Sequence, residues 1–172
     1  MPDNLPSRDV HTLFAAAGAA GKVGIAQKTK PVDARPARAG EVVVTRIAGE
    51  GVETQSKPAA ADDWVVRNRC PATGNEEYLV TAGTFAARYE GPLSAPDAEG
   101  WREFRPHGPA LRFFLVSERE GAFRFTAPWG EQMPARPGDA IVQDPGRPQD
   151  TYRVAAVAFA CTYEIIDKPK QE

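Results

Sequence analysis

The sequence predicts a mainly β protein of the α+β kind. Two related small β-rich units would form a barrel- or sandwich-like body, preceded by a short N-terminal helix. Three observations predict this. The 15 Gly and 16 Pro among 172 residues exceed the usual combined share of about 12%, so turns are over-supplied. The Gly/Pro clusters bound a series of strand-length runs, the pattern of a sandwich or barrel. And one stretch of the chain is echoed by a later one.

The N-terminal helix is expected over Arg8 to about Ala20, with Ser7 as its N-cap. Val10, Leu13, Phe14 and Ala17 fall at i, i+3, i+4 and i+7 and form one apolar stripe. Gly18 and Gly21 suit its end. The run from Thr29 to Gly40, with Pro31 and Pro36, reads as an extended connector. Strands are expected at 41–47, 51–54, 64–68, 77–81 and 84–89. After a Pro/Gly break over 91–100, more are expected at 110–117, 122–127, 140–143, 151–155 and 158–166. The domain plan is therefore 1–32 (helix and connector), 33–90 (first unit), 91–100 (linker), 101–166 (second unit) and 167–172 (a polar tail).

The echo carries the most information. Residues 62–90 align with 138–164 through a two-residue gap, with nine identities over 27 positions. The pairs are Asp63/Asp139, Val66/Val142, Tyr78/Tyr152, Val80/Val154, Ala82/Ala156, Phe85/Phe159, Ala86/Ala160, Tyr89/Tyr163 and Glu90/Glu164. All four tyrosines of the chain fall in matched pairs. An Asp before an apolar run can accept hydrogen bonds from turn amides. Tyr78 and Val80 share one strand face, as do Tyr152 and Val154. A unit of about 60 residues buries little surface alone, so the two units are expected to share a core or to pack as a pseudo-symmetric pair. An interface of that kind is a favoured place for a pocket.

The second block resembles a small bacterial family known by its Pro-Gly-Asp-Tyr-Gly signature. The residues that carry the resemblance are Arg136-Pro137-Gly138-Asp139, Tyr152-x-Val154, Phe159 and Thr162-Tyr163-Glu164. The chain departs from the signature at Ala140 and Ile141, which stand where the family has Tyr and Gly. The resemblance implies a small β-rich domain and no particular chemistry.

Balance of charge excludes several classes. With 21 basic and 23 acidic residues the net charge is −2, which argues against nucleic acid or an anionic membrane as the main partner. No apolar run reaches the ~18 residues of a membrane span. The N-terminal run lacks a positive flank, so it is not expected to be a signal peptide, and a cytoplasmic location is expected. Two cysteines, Cys70 and Cys161, do not make a disulfide framework. With only His11 and His107 and no C-x-x-C spacing, no metal is expected. No phosphate-cradling, dinucleotide, zincin, nucleophile-elbow or EF-hand motif occurs, and no cofactor is expected.

The leading expectation is a non-catalytic module binding a small ligand or a protein, with a homo-oligomer allowed. Trp64, Tyr78, Trp129, Glu131, Asp139 and Tyr152 are its candidate ligand-binding residues. An indole beside a loop glycine can wall a pocket, and repeated tyrosines can offer paired hydroxyls; the same residues also suit a core. The alternative is a small hydrolase or isomerase. Its base would be His107, a Pro/Gly-loop histidine, acting with Asp139 or a repeat tyrosine. Glu90 and Glu164 read as strand-end carboxylates. A third possibility is a single-strand nucleic-acid binder through Arg102, Arg105, Arg112 and Arg124 interleaved with phenylalanines. Against it, residues 101–165 hold eight Arg and eight acids.

Overall fold

The computed structural model of the chain describes residues 4–169. In chain order its elements are α1 (Val10–Ala19), β1 (Gly24–Lys28), β2 (Val32–Pro36), β3 (Val44–Ile47), β4 (Gly51–Gln55), β5 (Trp64–Asn68), β6 (Glu77–Val80), α2 (Ala82–Arg88) and β7 (Tyr89–Glu90). There follow β8 (Arg102–Pro106), β9 (Leu111–Leu115), β10 (Phe123–Thr126), β11 (Gln132–Ala135), β12 (Ala140–Asp144), β13 (Arg147–Val154), α3 (Ala156–Thr162) and β14 (Tyr163–Asp167). The protein is thus mainly β, as expected.

Two compact units result. The central unit is Lys28–Gly108; the terminal unit joins the residues up to Gln27 with those from Pro109 onward. The expected boundary at 91–100 is corrected. That segment lies inside the central unit, because β8 beyond it pairs antiparallel with β2, placing Phe104 opposite Val32. Each unit has an open five-stranded sheet and a separate two-stranded hairpin, and neither sheet closes into a barrel. The last three residues of the expected tail, 170–172, and the first three of the chain lie outside the described residues.

The two sheets have corresponding orders: β6-β5-β2-β8-β7 in the central unit and β13-β12-β9-β1-β14 in the terminal one. Val66 faces Tyr78 across β5 and β6, and Val142 faces Tyr152 across β12 and β13. Ala34 of β2 pairs with Val66, and Phe113 of β9 with Val142. The strand beside each of these inner strands comes from the other stretch of chain: β8 flanks β2, and β1 flanks β9. Each five-stranded sheet is therefore completed by a strand remote in sequence from its core hairpin.

Both sheets bury a face under a short helix. In the central unit Val32, Ala34, Val66, Val80 and Phe104 pack with Phe85 of α2. In the terminal unit Ala26, Leu111, Phe113, Ala140 and Val142 pack with Phe159 of α3. The opposite face of the terminal sheet, through Phe114 and Ile141, packs on α1 and on the β10–β11 hairpin. The stripe Val10, Leu13, Phe14 and Ala17 is the buried side of α1, as its spacing predicts. Its N-cap is Asp9, not Ser7: the Asp9 carboxylate accepts the His11 and Thr12 amides at 2.9 and 3.4 Å. These bonds to the charged form lower the Asp9 pKa. Gly18 lies within the helix, while Gly21 takes the left-handed turn after it (φ 72°).

Other expectations are corrected. The segments expected as strands at 84–89 and 158–166 begin inside α2 and α3, and strand pairing resumes only at Tyr89 and Tyr163. Phe85/Tyr89 and Phe159/Tyr163 are four apart, a spacing that serves a helix as well as a strand. The alanines around them favour the helix. The expected connector holds β2, an inner strand. Pro36 is tolerated because it ends the strand, beyond the Val32–Ala34 stretch that pairs with β8. β1, β8 and β11 were not anticipated. Among the described residues no helix is long and apolar enough to cross a membrane.

Two outcomes test this arrangement. A protease site inserted after Ala95 in the full chain, then cut, should leave both pieces co-eluting and melting together, since β2·β8 and β1·β9 pair across the cut. Pieces that separate under native conditions would contradict the strand order. The second concerns Arg35 and Glu41, whose carboxylate accepts both guanidinium tips at 2.6 and 3.1 Å. This fork, helped by the Arg38 amide, holds Glu41 at about 2 against an ordinary 4.5. The folded pKa is depressed, so the stabilisation is whole above 4.5 and fades as pH falls toward 2. In melting curves across that window, Glu41→Gln should lose less stability on acidification than the wild type.

Candidate functional site

Asp139 is a structural carboxylate. Its turn aims one oxygen at the Arg136 amide (2.8 Å) and at Arg153 Nε and Nη2 (2.9 and 2.8 Å), and the other at the Ala156 amide (3.0 Å). Arg153 is fully buried beneath it. Asp63 makes the same turn, accepting the Ala60 amide at 2.9 Å. Leu79, across from Val65, occupies the place that Arg153, across from Ile141, holds in the terminal unit. Both oxygens of Asp139, the expected partner of His107 in the enzymatic alternative, are thus occupied by turn amides and by Arg153. His107 is exposed just after β8, its amide donates to the Arg88 carbonyl at 2.6 Å, and its ring has no acid partner among the described residues.

The remaining candidates divide between the units. In the central unit Trp64 stacks on Phe85, with centroids 4.3 Å apart and planes 8° from parallel. Tyr78 joins a polar cluster: Lys28 Nζ donates to the Tyr78 hydroxyl, to Asn68 Oδ1 (2.7 Å) and to the Tyr89 hydroxyl (3.1 Å). The two hydroxyls are 2.9 Å apart. Lys28 therefore has three acceptors for its three protons, and the cluster is internally satisfied. In the terminal unit Trp129 packs against the core under α1, and Tyr152 is half-buried against the core on both sheet faces. Glu131 is exposed in the hairpin turn, where its carbonyl accepts the Ala127 amide at 2.8 Å. Glu90 pairs with Arg105 in solvent at 3.2 Å, and Glu164 is exposed. Neither Cys70 nor Cys161 is in a disulfide. Among the described residues no group of three or more His, Cys, Asp or Glu could hold a metal.

The site the sequence did not disclose lies on the α1 side of the terminal sheet. An open depression of about 510 Å³ is lined by His11, Phe14, Gly18, Arg112, Gln143 and Pro148, with Ala15 and Ala19 completing the helix wall. Three features build it. The spacing of α1 sets His11, Ala15 and Gly18 along one side. Antiparallel pairing puts Arg112 of β9 opposite Gln143 of β12. The start of β13 then contributes Pro148.

The polar floor is fixed by hydrogen bonds. Arg112 lies 5.2 Å from the centroid of the Phe14 ring and donates Nη1–H to Gln143 Oε1 at 3.3 Å. Gln143 is buried, and its amide donates to Thr151 Oγ1 at 3.0 Å and to the Pro148 carbonyl at 3.4 Å. Thr151 Oγ1 donates in turn to that carbonyl at 2.7 Å. No carboxylate pairs with Arg112 among the described residues. The sequence did contain a pointer: Arg112 and Gln143 occupy polar positions in otherwise apolar runs. Without knowing that α1 packs over them, that pattern reads as a solvated strand face.

Asp63 and Asp139, which close similar turns, provide an internal comparison. Removing one partner of a buried ion pair costs about 3–5 kcal/mol, whereas losing one amide hydrogen bond costs about 1 kcal/mol. Denaturant unfolding should therefore show Asp139→Ala far more destabilised than Asp63→Ala; equal losses would refute the structural role of the Arg153 pair. Compared with family models, curated proteins and solved structures, the chain matches none.

Proposed function

We propose that the chain is a non-catalytic β module, built from a copied half, and that it holds a small ligand in the depression under α1. One observation carries this: Phe14, Ala15, Gly18 and Ala19 give the depression an apolar stretch of helix wall with His11 at its end, and its polar floor is fixed by bonds before any ligand arrives. Sites for small molecules combine mostly apolar walls with a few placed polar groups, in volumes of about 300–1,000 Å³. A volume of about 510 Å³ falls inside that range. The reading is non-catalytic because the groups named for catalysis have other partners or none: Asp139 holds Arg153, and Tyr78 holds Lys28. The Gly138-Asp139 turn, which carries the resemblance to the Pro-Gly-Asp-Tyr-Gly family, supports the fold in this reading and not the ligand.

Gly18 offers the test. A Cβ built there would stand 3.8 Å from Arg112 Nη2 and 3.9 Å from Val23 Cγ2, which is ordinary contact. A leucine side chain extends further, into the depression. Replacing a helical glycine also favours the helix by up to about 1 kcal/mol. Fragments that raise the melting temperature of the wild type should lose that effect in Gly18→Leu, while the ligand-free variant melts no lower. Fragments that protect both proteins equally would sink the reading.

A further inference from the structure

We infer that the ligand of this depression is an oxyanion, a carboxylate or a phosphate ester, gripped by Arg112. The inference rests on the depression being a binding site, the reading proposed above, and adds the charge and the contact atom. Arg112 presents five N–H donors and spends one on Gln143 within the terminal unit. A planar guanidinium is the side chain best matched to a two-oxygen anion, through paired N–H donors. Here it is half-buried against Phe14, where less water screens its charge.

The central unit shows what the terminal unit lacks. At the position corresponding to Arg112 it has Asp33, and at that of Gln143 it has Arg67; these two also face each other across the inner strands. Asp33 accepts from Arg67 at 3.4 Å and from Arg69 at 2.8 Å. The cation of the central unit is thus neutralised by a carboxylate of the chain itself. In the terminal unit a neutral amide replaces the charged partner. Gln143 holds the guanidinium by one bond and leaves its charge for a ligand. Its own amide protons are spent on Thr151 and Pro148, so it acts as a positioning residue rather than as a second ligand contact.

Calorimetric titration of the full chain tests this with benzoate, phenyl phosphate and neutral benzamide, which share a ring and differ in charge. At least one anion should bind at millimolar concentration or better, and benzamide should bind at least roughly tenfold more weakly. Arg112→Gln removes the fork and should weaken the anion by roughly tenfold or more. Gln143→Glu installs a carboxylate beside Arg112, as in the central unit. It should abolish anion binding, whereas Gln143→Met, which loses the same amide donors without adding a charge, should weaken it far less; a purely structural role for Gln143 would make the two variants alike.

The relative strength of benzoate and phenyl phosphate tells which oxyanion is preferred. Benzamide binding as well as the anions, with Arg112→Gln without effect, overturns the oxyanion inference. The depression reading then still stands if Gly18→Leu blocks benzamide. Anion binding that Arg112→Gln destroys but Gly18→Leu leaves intact supports the contact atom and sinks the depression reading. No binding of either anion at millimolar concentration overturns the inference.

Discussion

The register between β9 and β12 is the constraint on which the terminal unit depends. Pairing Phe113 with Val142 and Phe114 with Ile141 decides both faces of the sheet at once. Successive residues of a strand point to opposite sides. One set, Phe113, Ala140 and Val142, goes under α3; the other, Phe114 and Ile141, goes under α1. A one-residue slip of β9 would turn Phe114 and Arg112 toward α3, and a slip of β12 would do the same to Ile141 and Gln143. Burial of the phenylalanines therefore fixes where the polar pair stands. The polar floor of the depression follows from apolar packing two residues away.

Comparison of the two sheets separates what the fold needs from what it tolerates. Both keep the valine–tyrosine cross-strand pair and the stacked Phe/Tyr that follows, with centroids 5.2 and 5.1 Å apart. Both keep an aspartate whose carboxylate closes its own turn. The partner of that aspartate differs. Leu79 fills its place with hydrocarbon, whereas Arg153 brings a charge that must be answered where water is excluded. Asp139 answers it with one oxygen while continuing to bind turn amides. The same turn thus serves as a plain cap in one unit and as a counterion in the other. An identity between the two aligned stretches accordingly marks a shared turn before it marks a shared site.

Much of the fold was legible for physical reasons. Trp64–Asn68 and Ala140–Asp144 are apolar runs between turn residues, and such runs pair as inner strands. The α1 stripe was legible because its period matches no strand. The helices α2 and α3 were not, since an aromatic pair four residues apart satisfies both periods and only the alanines break the tie. β2 was hidden by its flanking prolines, and β1 and β8 by their lack of alternation. They are strands because partners remote in sequence complete them, and no local window contains that information. The candidate site was less legible still. Trp64, Trp129 and Tyr152 are aromatics serving packing, and Asp139 serves a turn. Arg112 and Gln143 acquire meaning only when strand register and helix docking are both known.

Arg112 stands among the strand-borne charges that lack a carboxylate partner among the described residues. Asp33 has two arginines, Arg35 has Glu41 and Arg153 has Asp139, whereas Lys28 is met by two hydroxyls and an amide oxygen and Arg112 by a single amide oxygen. A half-buried guanidinium without a carboxylate gives up hydration and gains no full counter-charge, so it is a cost to the folded state. The chain also spends a buried glutamine, a threonine and the Pro148 carbonyl of β13 on holding the neighbourhood of that guanidinium still. Order invested around an unanswered charge has no return in stability alone. Positions that break a local rule while their surroundings are rigidly supported are where function is to be sought, and in this chain that criterion selects the floor beneath α1 over every aromatic that the sequence pattern brings forward.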